Sequence, residues 1–235
     1  MLFCVISWIV KYVKADERST NPHEIALTLM VPEPLTKTSL ADAAYRLAKR
    51  DKGLASIFAA HGPPPMWARP PNFSTLVKII LEQQVSLRSA ASMYRRLRGN
   101  VVPFRPHRFI ELGEPHLRSL GVTRQKTAYC LHLSECILSR SLSLRNLTKM
   151  TDEEAKLALM QVKGIGSWSA DIFLLMALRR PDVWPTGDLA LVAAIAQLKN
   201  LKRLPTAEQF QRLGDSWRPF RSVAARMLWQ YYLAK

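Results

Sequence analysis

At 235 residues, 48% of them hydrophobic and 22% charged, the chain can bury a core and has the composition of an ordinary globular protein. Its 34 Lys and Arg against 18 Asp and Glu give a net charge of +16, more than a mixed solvated surface needs; nucleic acid is the first polyanionic partner to expect and a membrane surface the second. Three cysteines, Cys4, Cys130 and Cys136, exclude a disulfide framework and a four-cysteine iron–sulfur site, lack zinc-ligand spacing, and fit a reducing compartment.

Residues 1–14 carry one apolar run of about ten residues, too short to span a bilayer. No positive charge precedes it and no small-residue cleavage site follows, so an extension is expected here and not a leader. Residues 15–38 mix charges and prolines around Ile25–Val31, which could be a strand or part of a helix. Residues 1–38 therefore form a poorly defined N-terminal extension, and one helical unit is expected over 39–235.

From Ser39 the spacing of Leu40, Ala43, Ala44, Leu47 and Ala48 predicts a helix, with Ser39 and Asp42 as a capping pair. Gly62-Pro63-Pro64-Pro65 stops the next one, and a loop with Trp67 runs to Asn72. Leu76, Ile79, Ile80, Leu87, Ala90, Ala91, Tyr94 and Leu97 mark one face of a single long helix. Gln83 falls on that face. It makes a specific hydrogen bond there, or it is a glutamine at a helix end or interface.

Between Gln83 and Ile110 there is no acid, while Arg88, Arg95, Arg96, Arg98, Arg105, His107 and Arg108 all fall there. A solvated face carries both signs, so a phosphate-facing surface is favoured. Helices follow at Arg108–Leu112, Glu114–Leu120 and Thr127–Leu138, and Leu120–Lys126 reads as a tight turn with cations at its tip. Thr151 and Glu154 form a capping box opening a short helix to Met160. Ser167 to about Arg179 is helical again, Asp188 opens Leu189–Leu198, and a basic loop with Lys199, Lys202 and Arg203 leads to the Thr206/Gln209 cap. The final helix carries Trp217, Phe220, Val223, Ala224, Met227, Leu228 and Tyr231. The chain therefore reads as all-α, with no fixed-period repeat.

Gly164-Ile165-Gly166 lies between two of these helices. Glycine leaves no side chain between an amide and a ligand, and the amides at the start of the Ser167 helix would face an anion. The same tripeptide also suits a plain helix–helix turn. Asp188 after Gly187 suits an N-cap, a role compatible with chemistry. Asp171 is the rival carboxylate and reads as structural.

Val162-Lys163-Gly164-Ile165-Gly166-Ser167-Trp168-Ser169-Ala170, with Asp188 following Trp168 by 20 residues, resembles the helix–hairpin–helix of the DNA glycosylase superfamily. The turn Gln83-Gln84-Val85-Ser86, the segment from Leu120 to Lys126 and the run Trp217–Ser222 match the same family in order, and the subgroup they resemble is the DNA-3-methyladenine glycosylase II type. The resemblance covers about Leu40–Tyr232. It implies the helix–hairpin–helix glycosylase fold, two helical lobes with a cleft between them and the hairpin at about 151–180, in a compact form without the N-terminal β domain of longer members.

It further implies Asp188 as the catalytic residue, with Lys163, Gly164, Gly166, Ser167 and Ser169 on the DNA backbone. Gln84, Val85 or Ser86 would fill the gap left by a flipped base. The best-known members have an apolar residue at that wedge where this chain offers glutamine. Trp168 and Trp229 would line the base pocket, core packing being the alternative for either, and Trp67 and Tyr231 are weaker candidates. A monovalent cation at the main-chain carbonyls of Met160, Val162 and Ile165 is implied, with no redox cofactor and no catalytic metal. Lyase-competent relatives carry a nucleophilic lysine where this chain has Trp168, so a monofunctional enzyme is expected.

The expected activity is removal of alkylated bases such as 3-methyladenine from double-stranded DNA by a monomer with no membrane partner, in the cytoplasm of a bacterium or the nucleus of a eukaryote. The alternatives are another damaged base, or a helix–hairpin–helix DNA-binding protein without catalysis. A membrane-surface protein using residues 1–14 is a third.

Overall fold

The computed structural model describes residues 31–234, so the expectations for 1–14 and for Ile25–Met30 lie outside the described residues. Among the described residues all regular structure is helical: α1 Lys37–Arg50, α2 Lys52–His61, α3 Phe73–Glu82, α4 Leu87–Asn100, α5 Pro106–Ser119, α6 Arg124–Leu138, α7 Leu144–Leu147, α8 Asp152–Met160, α9 Ser167–Met176, α10 Leu189–Leu198, α11 Ala207–Asp215 and α12 Arg221–Leu233. None of them is long and apolar enough to cross a membrane.

The packing divides these helices into two sets. One comprises α1, α2, α10 and α12, and the other α3, α4, α5 and α6. The α8–α9 hairpin stands between them, with α9 packed on α3. Helix α9 is apolar nearly all round (Ala170, Ile172, Phe173, Leu174 and Leu175 are all buried), as a helix enclosed on several sides must be.

Local chemistry moves several boundaries. Helix α1 begins two residues before Ser39, because Thr36 is its N-cap: Thr36 Oγ1 accepts from the Ser39 amide at 3.1 Å, and Ser39 Oγ accepts from the Thr36 amide at 2.9 Å. Ser39 thus caps with Thr36 and not with Asp42. The single long helix expected through Gln83 is two helices that fold back on each other, joined by a Ser74–Tyr94 hydroxyl contact. The reversal uses no Gly or Pro, so the apolar spacing hides it, while the turn implied by the family resemblance at Gln83–Ser86 is present. Gln84 takes a positive φ of 53°, and Ser86 Oγ caps α4 by accepting from the Ser89 amide.

Helix α5 spans the two segments expected around Gly113, which breaks the helical angles with a φ of 68°. Helix α6 starts at Arg124, three residues early, with Thr123 as N-cap. Lys126 therefore lies in its first turn and is buried instead of standing at a cationic tip. Helix α9 stops at Met176, short of Arg179. Trp217 precedes α12 and is buried against Trp184, with its Nε1 donating to Asp51 Oδ2 at 3.1 Å.

Candidate active site

The hairpin is built by its glycines in two different ways. Gly164 has a φ of 89°, and a Cβ there would lie 2.1 Å from the Tyr129 ring, so this glycine is required by packing. Gly166 has a φ of −88°, and a Cβ there would meet nothing within 4 Å. The fold does not need glycine at 166, and its absent side chain leaves the space above the turn open.

Gly166 is the N-cap of α9 and has no side chain to satisfy the first turn. The amides of Gly166, Ser167, Trp168 and Ser169 find no acceptor among the described residues. Four such N–H groups at a helix N-terminus form an anion site. The exposed Lys163 adds charge beside it, and its own amide donates to His132 Nδ1 at 3.1 Å. The Ser169 hydroxyl is turned inward to Gln83, so the residue offers only its amide at the helix N-terminus.

Asp188 sits where α10 begins and is 7% exposed. The Pro185–Gly187 turn brings it in, through its amide donating to Pro185 O at 3.3 Å and a φ of 84° at Gly187. Its Oδ1 accepts from the Leu191 amide at 2.9 Å and from Trp229 Nε1 at 3.3 Å, and its Oδ2 accepts from Trp168 Nε1 at 3.0 Å. Capping and the site thus coincide in one carboxylate. Both tryptophans donate to it, and Oδ2, with one donor among the described residues, keeps acceptor capacity.

Trp67 meets Trp229 edge-on, with ring centroids 6.4 Å apart. Its loop is pinned on both sides. Arg226 Nε donates to Met66 O at 3.0 Å, and the Arg69 amide donates to Met176 O at 3.0 Å. Arg69 also pairs with Glu82 through contacts of 2.8 and 3.0 Å. Tyr231 lies half-buried two residues beyond Trp229.

Asp171 does not join this group. It is buried, with Oδ1 2.7 Å from Lys156 Nζ and Oδ2 accepting from Ser167 Oγ at 3.4 Å. Burial pushes its pKa up while Lys156 opposes the shift. It clamps α8 to α9, as its sequence position suggested.

At the α3–α4 turn, Gln84 and Val85 are exposed, while the Ser86 hydroxyl is occupied in capping. The next residue, Leu87, is 65% exposed and was missed as a wedge candidate. A leucine so exposed at the first position of a helix is the signal that could have found it. Leu189, next to Asp188, is 81% exposed and was missed for the same reason.

The acid-free basic run is divided in its use. Arg96 donates to Leu120 O and Ser92 Oγ, Arg108 pairs with Glu111, and Arg98 lies over the Phe104 ring. Arg88, Arg95 and Arg105 are exposed and make no side-chain hydrogen bond or ion pair among the described residues, so they remain open to phosphate.

At the hairpin carbonyls, Val162 O already accepts from the Ile165 amide at 2.9 Å, while the Met160 and Ile165 carbonyls have no donor among the described residues. That donor set of neutral oxygens fits a monovalent cation.

A model of the HhH-GPD superfamily of base excision DNA repair proteins matches residues 77–219. The chain is 28% identical over 185 residues to the YfjP protein of Bacillus subtilis, covering 75% of this chain and 64% of that one. It is also 28% identical over 173 residues to the DNA-3-methyladenine glycosylase of the same organism, covering 68% of this chain and 57% of that one. The chain therefore spans less than two thirds of the length of either relative. Its fold is similar to that of the Schizosaccharomyces pombe 3-methyladenine DNA glycosylase solved with abasic DNA, with a TM-score of 0.74 at 23% identity, covering 80% of this chain and 95% of that one.

Proposed function

The chain belongs to the HhH-GPD superfamily of base excision DNA repair proteins, and from that premise we propose that it is a monofunctional DNA glycosylase. It hydrolyses the N-glycosidic bond of alkylated bases, 3-methyladenine among them, in double-stranded DNA and leaves an abasic site. The observation that carries this reading is Asp188, a buried carboxylate held by two tryptophan N–H groups beside an uncapped helix N-terminus. A protein that only bound DNA could cap α10 with a neutral asparagine or serine and avoid a carboxylate facing a polyanion.

The chemistry follows from the parts. The α9 amides and Lys163 take a backbone phosphate, and the Gln84–Leu87 turn enters the space vacated as the damaged nucleotide leaves the stack. The electron-poor base lies against the indole faces of Trp168 and Trp229, where stacking and cation–π attraction favour an alkylated, cationic purine. As the glycosidic bond lengthens, positive charge develops on the deoxyribose. Asp188 Oδ2 stabilises that charge and orients water for attack at the sugar carbon. The bonding electrons leave with the base, which departs neutral because it entered the bond positively charged. Water adds its hydroxyl to the sugar and loses a proton to Asp188 or solvent.

This route calls for no redox cofactor and no catalytic metal. A monovalent cation at the Met160, Val162 and Ile165 carbonyls would add positive charge where the phosphate docks. Trp168 cannot form the Schiff base that strand cleavage requires. The proposed partner is damaged duplex DNA, bound by a monomer.

The test is incubation with duplexes each carrying one defined lesion, scored for strand breaks before and after alkali. Breaks only after alkali support the reading. Breaks without alkali contradict the monofunctional assignment, and no base release from any alkylated duplex leaves a DNA-binding role alone.

A further inference from the structure

Gln83 closes α3, yet its side chain does not cap that helix. It crosses to the hairpin, where Nε2 donates to Gly164 O at 2.7 Å and to Ser169 Oγ at 2.9 Å. The end of α3 is closed instead from α6. There Lys126, 8% exposed, directs Nζ to Leu81 O at 2.7 Å and to Gln83 O at 2.8 Å. The turn that follows, with Gln84 at a φ of 53° and Val85 and Leu87 exposed, is thus held at its base by two lysine contacts to backbone carbonyls and one glutamine bridge.

The bridge ends on the residues that form the phosphate site. Ser169 offers its amide to the α9 N-terminus and its hydroxyl to Gln83. Gly164, the other acceptor, is fixed beneath Tyr129. Two part-buried hydrogen bonds from one amide group limit the play between the hairpin and the turn.

We infer that Gln83, seated by Lys126, is a positioning residue that couples phosphate anchoring at Gly164–Ser169 to insertion of the Gln84–Leu87 turn into the duplex. The inference rests on the glycosylase reading. Anchoring of one strand fixes where the wedge must stand, and the wedge gains leverage against the stack only while the hairpin is held. Extrusion of a paired base needs this leverage, whereas an already unpaired base does not. Loss of the bridge is therefore felt in flipping and not in bond cleavage.

The test is single-turnover release of 7-methylguanine from two duplexes, one with cytosine opposite the lesion and one with an abasic analogue opposite it. Gln83→Ala should slow release about tenfold or more from the paired lesion, and by less than about threefold from the unpaired one. Lys126→Met should show the same selectivity. Ser169→Ala, which removes one acceptor and keeps the backbone donor, should show a weaker form of it and serves if Gln83→Ala does not fold. Equal losses on both duplexes, or no loss on either, overturn the coupling while wild-type release still supports the glycosylase reading. Wild-type protein that releases nothing from either duplex overturns that reading and the coupling with it.

Discussion

The indole Nε1 of Trp168 donates to Asp188 Oδ2 at 3.0 Å, joining the first turn of α9 to the N-cap of α10. One ring then has two roles. On the proposed function its face would offer a wall to the base, and its edge fixes the carboxylate that would face the sugar. Trp168→Phe keeps the wall and removes the bond, so single-turnover base release should fall about fivefold to tenfold, the effect of one hydrogen bond. Trp168→Ala removes both and should lose more, most of all for cationic bases. Equal rates for Phe and wild type would show that the bond does not position Asp188.

The two hairpin glycines should fail differently. Gly164→Ala places a methyl in the Tyr129 ring at a positive φ, so melting should reveal a loss of roughly 2 kcal/mol or more. Gly166→Ala has open space and ordinary backbone angles. Its melting temperature should stay near wild type while affinity for duplex DNA falls, since the methyl would stand where the proposed phosphate docks. A Gly166→Ala variant that binds DNA normally would detach the phosphate from this turn.

Asp152 sets a pH dependence. Burial pushes its pKa up to about 6, with the Arg180 guanidinium opposing. The Arg180 Nε lies 3.3 Å from Asp152 Oδ1, yet neither atom has an aligned hydrogen bond, so the contact acts as a charge pair alone. A carboxyl with a raised folded pKa binds its proton more tightly in the folded state. The stability it contributes is full below the unfolded value near pH 4 and is lost as pH rises to about 6. Asp152→Asn should therefore flatten the stability profile across that window, as melting at stepped pH would show. An unchanged slope would place the proton uptake elsewhere.

Much of this was legible in the residues. The capping boxes at Thr151 and Thr206, the Asp188 cap and the glycine hairpin are local signals, and each forms as its side chains dictate. The helix break at Gln83 was not legible in the apolar spacing, because Gln84 adopts a glycine-like angle without being glycine; the family resemblance alone placed a turn at Gln83–Ser86. Nor was the burial of Lys126. A lysine in a turn reads as surface, and only the fold brings the open carbonyls of α3 to meet it. The Gln83 position did show the conflict in sequence, a polar residue on an apolar face, and its resolution is both a helix end and a specific bond. The indole contacts of Asp188 join positions 20 and 41 residues apart, beyond what periodicity can report.

The most direct measurement of the role of Asp188 is single-turnover base release by Asp188→Asn from an alkylated duplex, read beside its DNA affinity. Asparagine can still cap α10 through its side-chain oxygen, so the fold should stand and DNA should bind about as tightly as to wild type. Release should fall by roughly 100-fold to 1,000-fold, with no strand break in wild type before alkali. Release by Asp188→Asn at the wild-type rate would contradict the catalytic assignment and leave the buried carboxylate as a helix cap alone.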